Sequence, residues 1–222
     1  MTDLLVGVPS YGRPDNVRRL FDDWVGVRRA DLIVGLDRDD PTLTAYPEAE
    51  YPARCIKTGE PAQFVEWVNR LSVPYVQQYR FLGSMTDHHV PRTPGWDIAI
   101  TNALAEMGTG IVYPNDGWFG EAIPTACFMT SDIVQALGFM ALPTLQHFAC
   151  DNVWRDWGLG IDRIRYMPEV VIELMHSGAG KAPMDATQIR SELHHAHDGE
   201  VYKRYLTDGI DADIAKLRSL VR

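Results

Sequence analysis

The sequence lacks most features that mark exported, membrane-bound or nucleic-acid-coating proteins. Its 222 residues include three cysteines, Cys55, Cys127 and Cys150, which form no CxxC pair and indicate neither a disulfide framework nor a cysteine zinc site. No apolar run reaches the roughly 18 residues of a membrane span, and the N-terminus has no signal-peptide pattern. Acids outnumber bases 30 to 21, and the net charge of −9 argues against broad binding to a nucleic-acid backbone. We therefore expect a soluble, cytoplasmic protein with no membrane span.

Standard phosphate-binding and catalytic signatures are also missing. The segment 7–12, GVPSYG, follows an apolar run but lacks the middle glycine of a dinucleotide fingerprint. Lys181 ends a glycine-rich stretch, but Ala182 replaces the Ser or Thr that a P-loop requires. The chain contains no GxSxG and no HExxH motif. The chemistry must therefore come from residues outside these motifs.

Short apolar runs alternate with segments of helical periodicity, a pattern typical of an α/β sheet. Pro14 and Pro61 are placed to open helices, and a third apolar stripe ends near Gly108. From about Met184 the chain is polar, and a last helical stripe follows it, formed by Ile210, Ile214, Leu217 and Val221. We predict strands at Leu4–Val8, Leu32–Leu36, Arg54–Lys57, Arg80–Ser84, Gly110–Tyr113, Thr125–Met129 and Val170–Leu174.

Polar residues follow the first two predicted strands. The loop after the first strand contains Pro9, Ser10, Tyr11 and Arg13, and the second strand runs into Asp37, Asp39 and Asp40. Ligands of α/β sheets bind beyond the carboxyl ends of strands, so Tyr11 could stack on a base, Arg13 could face a diphosphate and Asp37 could bind ribose or a base edge. The alternatives are a βα turn without a ligand and a solvated acidic turn.

Three adjacent titratable residues, Asp87, His88 and His89, follow the fourth predicted strand. Carboxylate and imidazole groups at a strand end can hold a divalent cation, and His176, after the last strand, is a further candidate ligand. The alternative is a loop with surface histidines. A second cluster, His194, His195 and His197, has no adjacent cysteine or fourth ligand, so we expect a polar linker there.

The segment 146–158 contains a possible general base. If it is helical, His147, Asp151 and Arg155 share one face, and Asp151 lies one turn from each of the other two. Such a carboxylate could deprotonate a substrate hydroxyl. An ion pair between Asp151 and Arg155 is the competing interpretation.

Together these segments resemble glycosyltransferases with the GT-A fold, of the family-2-like kind found in actinobacteria and their phages. The resemblance covers about residues 4–187 and depends most on the segment 87–97, DHHVPRTPGWD. Weaker matches are the segment 8–14, Asp37 with Asp39, and the segments 110–116, 124–125, 147–154 and 171–185.

The resemblance implies a single α/β domain of GT-A type, a mostly parallel sheet flanked by helices, over residues 1–187. Residues 188–222 would be a polar linker and a C-terminal helix. It also implies a nucleotide-sugar donor bound on Mn²⁺ or Mg²⁺, with Asp87, His89 and His176 as metal ligands. Further donor contacts would come from Arg92, Trp96, Asp97 and Lys181. For a phage protein, the location would be the host cytoplasm.

The sequence departs from the family pattern at two positions. His88 replaces the second carboxylate of the acidic metal motif, and Leu174 replaces a histidine, although His176 is kept. Both changes reduce the negative charge or the number of ligands, which puts metal binding in doubt. An imidazole at His88 could still coordinate manganese.

We therefore predict a glycosyltransferase that moves a sugar from a nucleotide-sugar to an acceptor hydroxyl. Asp151 is the catalytic base if the reaction inverts the anomeric centre and an orienting group if it retains it, and the sequence leaves both outcomes open. A sugar nucleotidyltransferase is an alternative, although Arg13 alone supplies the basic loop of such enzymes. A non-catalytic nucleotide-sugar-binding protein is another. The acceptor stays open among glycans, lipids, proteins and modified DNA bases, and the C-terminal helix could form a homodimer.

Overall fold

A computed structural model describes residues 2–48 and 54–221. In that part of the chain eight strands form one sheet in the order β3-β2-β1-β4-β7-β6-β8-β5. β1, β2, β3 and β4 are parallel, β7 is antiparallel to both its neighbours, β6 and β8 are parallel, and β5 is antiparallel to β8. The strands are β1 Leu4–Ser10, β2 Ala30–Asp37, β3 Arg54–Gly59, β4 Phe81–Ser84, β5 His89–Pro91, β6 Ile111–Asn115, β7 Cys127–Thr130 and β8 Ile164–Leu174.

Helices cover both faces of this sheet, because successive side chains of its central strands point to opposite sides. In β1, Leu4, Val6 and Val8 pack with residues of α1 and α3, whereas Leu5 packs with residues of α2, α4, α5 and α8. The predicted α/β fold with a mostly parallel sheet is confirmed. The helices are α1 Pro14–Asp23, α2 Phe64–Ser72, α3 Trp96–Met107, α4 Ser131–Leu137, α5 Cys150–Gly160, α6 Ala186–Glu192, α7 His195–Asp208 and α8 Ile210–Arg218.

Each predicted strand overlaps an observed one, and the differences from the predictions concern the start of α2, the start of β8 and the short strand β5. α2 begins at Phe64 rather than at Pro61, because the Ala62 N–H donates to the Asp37 carboxylate and holds the chain extended. β8 begins well before Val170, and its pairing with β6 is irregular near Pro114. β5 was not predicted, since three residues carry no usable periodicity.

The polar segment predicted as a linker is helical. It forms α6 and α7, and the apolar stripe of α8 packs on the same core as α4 and α5, with Leu217 fully buried. This stripe therefore packs on the chain's own domain, and a homodimer through the C-terminal helix stays a prediction. Among the described helices, none has the length and apolar character needed to cross a bilayer.

One buried carboxylate joins the C-terminal helices to the rest of the domain. Asp198 of α7, with no exposed surface, accepts hydrogen bonds from the backbone N–H groups of Gln146, His147 and Phe148 at 2.7–2.9 Å. His197 lies 3.0 Å from the same carboxylate. Burial alone would raise the pKa of Asp198, but these hydrogen bonds outweigh it and hold the pKa below its usual value. The loop before α5 is thus fixed by α7.

We expect Asp198→Ala to lower the free energy of unfolding by about 2–4 kcal/mol, because three amides lose their acceptor in a buried position. Asp208→Ala, a substitution at an exposed position of the same helix, should leave the free energy of unfolding nearly unchanged. Urea unfolding followed by circular dichroism measures both.

The difference between wild type and Asp198→Ala should shrink in acid. A carboxylate with a lowered folded-state pKa stabilises the protein above its ordinary pKa of about 3.9, and that stability is lost as the pH falls through the folded-state value. An Asp198→Ala variant with the wild-type free energy of unfolding at pH 7 would contradict the role of Asp198 in anchoring the loop before α5.

Candidate functional site

A cleft of about 640 Å³ opens at the carboxyl ends of β1, β2 and β4. Its walls come from the loops after these strands and after β6, from the start of α5, and from α6 and α7. This is where ligands of α/β sheets bind. Of the residues singled out in the sequence, the cleft brings together Pro9, Ser10, Tyr11, Arg13, Asp37, Asp87, His88, His89, Asp151 and His176.

Arg13 lies at the centre of the polar side of the cleft. Its guanidinium donates to Asp87 Oδ1 at 3.1 Å and, through two nitrogens, to both carboxylate oxygens of Asp185 at 2.7 Å. Ser10 Oγ donates to the other oxygen of Asp87 at 2.6 Å. The hydrogen bonds from Arg13 lower the pKa of Asp185 to about 2, whereas burial raises the pKa of Asp87. One cation is therefore shared by two carboxylates.

The loop that carries Arg13 is held in place by Asp40, a buried residue. The Asp40 carboxylate accepts from the Gly12 N–H at 2.7 Å, from Tyr46 Oη at 2.8 Å, and from the N–H and hydroxyl of Thr42, both at 2.7 Å. Gly12 has φ +68°, a conformation that side chains disfavour. Burial alone would raise the pKa of Asp40, but the hydrogen bonds hold it below its usual value. The β1–α1 loop and residues 40–46 after β2 thus form one unit.

Asp37, at the end of β2, faces the cleft beside Trp67. Its Oδ1 accepts from Trp67 Nε1 at 2.6 Å and from the Ala62 N–H at 3.1 Å, and no described group donates to Oδ2. The Trp67 ring reaches this position because it lies against Gly35, where a Cβ would fall only 2.5 Å from the ring. Asp37 is therefore rigid and retains one oxygen for a ligand.

The residues predicted to hold a metal do not form a ligand set. His89 is fully buried; its Nδ1 accepts from the Thr86 N–H at 3.0 Å, and its Nε2 lies 3.4 Å from Thr125 Oγ1. Both oxygens of Asp87 are bound by Ser10 and Arg13. In residues 2–48 and 54–221, no three His, Cys, Asp or Glu side chains converge as a metal site needs. The cation beside Asp87 is the guanidinium of Arg13.

The other two histidines of this region are neutral near pH 7. Burial and the charge of Arg13 lower the pKa of His88 to about 3, and burial lowers the pKa of His176. Their rings lie 6.1 Å apart, and His176 Nδ1 accepts from the Gly178 N–H at 3.0 Å. Neutral imidazoles add no positive charge to the cleft, so they do not compete with Arg13 for an anion.

Five residues predicted to contact the donor lie outside the cleft. Arg92 and Lys181 both pair with Glu173, at 2.9 and 2.8 Å. Trp96 is buried in the core, with its ring 5.3 Å from that of Trp24. These three side chains contact other protein groups. Asp97 does the same, since it is buried and accepts hydrogen bonds from the backbone N–H groups of Arg28 and Arg29. The fifth, Asp39, is exposed.

Asp151 lies in the first turn of α5 and lines the cleft. Burial raises the pKa of this carboxyl. The alternative interpretation, an ion pair between Asp151 and Arg155, is not the arrangement found, because Arg155 pairs with Asp156 at 3.2 Å and donates to the Ala122 carbonyl oxygen. The helix begins after His147, whose side chain lines the cleft. Asp151 is therefore a carboxylate without a cationic hydrogen-bond partner in the described chain.

Several cleft residues were missed by the sequence reasoning. Arg190 lies 4.8 Å over the ring of Tyr11, and Asp185, although it does not line the cleft, pairs with the cleft residue Arg13. Thr187 Oγ1 also donates to the Tyr11 carbonyl oxygen at 2.9 Å. No local signal marks these contacts. Trp118 and Phe119 could have been found, since two large aromatic residues between glycines in a polar segment are unusual.

No protein-family profile and no curated protein matches the chain. Solved structures match in fold. A mannosyltransferase from Pyrobaculum calidifontis in complex with GDP-Man and Mn²⁺ is 11% identical with a TM-score of 0.56, over 98% of this chain and 73% of that one. Staphylococcus aureus TarS in complex with UDP-GlcNAc is 10% identical with a TM-score of 0.57, over 83% of this chain and 62% of that one.

A Bacillus anthracis protein, assigned as a glucose-1-phosphate thymidylyltransferase and in complex with sucrose, is 7% identical with a TM-score of 0.52, over 76% of this chain and 87% of that one. This chain thus spans less than two thirds of TarS and about three quarters of the mannosyltransferase. At such identities the likeness is one of fold. The chain has the GT-A fold of nucleotide-diphospho-sugar transferases.

Proposed function

We propose that this protein transfers a sugar from a nucleotide-sugar donor to an acceptor hydroxyl. The observation that carries the proposal is the convergence, in one cleft, of the Ser10–Arg13 loop, Asp37 and Asp151. Asp37 has a free carboxylate oxygen suited to the ribose or base of a nucleoside, and Tyr11 offers a ring for stacking. The GT-A fold and its neighbours with GDP-Man and UDP-GlcNAc support the same activity.

In this proposal Arg13 receives the diphosphate. A guanidinium binds phosphate oxygens through fixed, paired N–H groups, and it stabilises the charge that grows on the leaving nucleoside diphosphate. Asp87, which accepts a hydrogen bond from Ser10, holds Arg13 in the cleft. No step is assigned to a divalent metal, since Asp87 and His89 are engaged with protein groups.

In an inverting reaction Asp151 is the base. The acceptor oxygen bonds to the anomeric carbon while the bond from that carbon to the diphosphate oxygen breaks, and the acceptor proton passes to Asp151. The raised pKa of Asp151 brings its basicity closer to neutral pH, which suits a general base.

A product assay separates this activity from the alternatives. A glycosyltransferase releases nucleoside diphosphate from UDP- or GDP-sugars when an acceptor or water is present. A sugar nucleotidyltransferase instead releases pyrophosphate from a nucleoside triphosphate and a sugar 1-phosphate. Binding of a nucleotide-sugar without either product would leave a binding protein and contradict the proposal.

Donor binding tests the role of Arg13. We expect Arg13→Ala to weaken UDP- or GDP-sugar binding about tenfold or more, as loss of a charge-assisted contact does. Arg18→Ala, an exposed arginine of α1, is the control. Asp185→Asn keeps an oxygen that can cap α6 but removes a competing charge, so it should tighten binding. Isothermal titration calorimetry measures all three.

The same donor titrations, carried out in EDTA and in Mn²⁺, test whether donor binding requires a divalent metal. Because Arg13 is the cation beside Asp87, the donor dissociation constants should agree within about threefold, under 1 kcal/mol. A tenfold or larger loss of affinity in EDTA would show that a metal displaces Arg13 and would overturn this assignment.

Asp151→Asn should lower turnover by about 10²–10⁴-fold with unchanged donor affinity, because the amide keeps the shape but cannot accept the proton. Asp162→Asn, the same chemical change at an exposed position with φ 54°, is the control, since asparagine tolerates that conformation.

The wild-type rate should fall at acid pH, as Asp151 is protonated, with a midpoint above that of an ordinary aspartate because its pKa is raised. Equal turnover in Asp151→Asn and wild type would remove Asp151 from the mechanism.

A further inference from the structure

Three adjacent aromatic rings line the cleft, and we call them the aromatic shelf: Trp118, Phe119 and His176. The Trp118 and Phe119 rings lie 4.2 Å apart, and Trp118 stacks on His176 at 5.2 Å with 23° between the planes. Trp118 is 39% exposed and Phe119 37% exposed. Two large aromatic side chains held in contact with water are costly without a ligand.

The shelf is rigid because its loop is fixed by a buried carboxylate. Asp116 Oδ1 accepts from the consecutive N–H groups of Trp118, Phe119 and Gly120 at 2.8–2.9 Å, and its Oδ2 accepts from Thr125 Oγ1. Lys181 Nζ donates to the Gly117 carbonyl oxygen at 3.0 Å. The turn after His176 packs under the indole, where a Cβ at residue 178 would lie 2.8 Å from the ring. A preorganised ring surface loses little entropy on binding.

Hydrogen-bonding groups lie in the same cleft as the shelf. Asp151 and Asn152, both in the first turn of α5, line it, and no described residue hydrogen-bonds to the Asn152 side chain. Arg155, one turn on, donates to the Ala122 carbonyl oxygen and so joins α5 to the loop of the shelf. The arrangement combines flat apolar rings with a carboxylate and a free amide.

This combination matches a sugar ring, which has an apolar C–H face for stacking and hydroxyls for hydrogen bonds. It does not match a nucleic acid. Arg13 and Arg190 are the basic side chains among the described cleft residues; the first is paired with two carboxylates and the second lies over Tyr11. The chain carries a net charge of −9, and nucleic-acid binding depends on neutralising phosphates.

We propose that the acceptor is a saccharide whose sugar ring stacks on the aromatic shelf and presents a hydroxyl to Asp151. The proposal rests on the glycosyl transfer inferred above, and it selects one acceptor class. Phe119 and Trp118 determine acceptor binding, and the donor does not require them.

Trp118→Ala tests this with p-nitrophenyl α- and β-hexopyranosides and short oligosaccharides as acceptors. The acceptor KM should rise about tenfold or more, as truncation of an aromatic anchor predicts, while donor affinity and donor hydrolysis in water stay unchanged. Trp118→Phe should restore much of the binding because it keeps a ring. The exposure of Trp118 lets the variants fold, and their melting temperatures verify this.

Measuring glycoside binding directly makes the test independent of the donor. Saturation-transfer NMR with the same glycosides should show binding to wild type and to Trp118→Phe, and a loss in Trp118→Ala. Wild-type donor hydrolysis with no glycoside bound would overturn the saccharide proposal alone, as would transfer to oligonucleotides or lipids. Glycoside binding without turnover of any nucleotide-sugar would instead contradict the glycosyl transfer.

Discussion

Buried carboxylates that accept hydrogen bonds from loop amides determine the shape of this protein around its cleft. Loops at the ends of strands have N–H groups that no neighbouring strand can bind, and such groups need an acceptor when they are buried. Asp40 serves Gly12 and Thr42, and Asp97 serves the chain before β2. Asp116 serves the loop of the aromatic shelf, and Asp198 the loop before α5. The cleft walls depend on Asp40, Asp116 and Asp198, whereas Asp97 plays the same part for a loop outside the cleft.

This constraint also explains which predictions from the sequence succeeded. The fold followed from the alternation of apolar runs and helical stripes, because a sheet covered on both faces requires it. The role of each aspartate could not be predicted from the sequence. Asp97 lies in the segment that most resembles the glycosyltransferase pattern, yet it binds backbone amides outside the cleft. A carboxylate that anchors a loop and one that binds a ligand look alike in sequence.

Site residues that follow a strand or begin a helix could be predicted from the sequence, whereas site residues from remote parts of the chain could not. The Ser10–Arg13 loop, Asp37, Asp87 and Asp151 follow strands or begin helices, where position alone places them near the cleft. Asp185, 172 positions from Arg13 in the chain, could be found only from the tertiary structure. His89 was predicted as a ligand from its neighbours, but its two ring nitrogens are engaged by Thr86 and Thr125.

The C-terminal segment belongs to the site as well as to the fold. Arg13, with Asp87 and Asp185, forms a cluster whose carboxylates outnumber its cation, and the adjacent histidines His88 and His176 are neutral. Under the proposed function, a diphosphate at Arg13 would compete with Asp185, the residue that caps α6. Since Asp185 belongs to the same segment that contacts Tyr11 through Thr187 and Arg190, the proposal implies that donor entry and the position of α6 are coupled through one guanidinium.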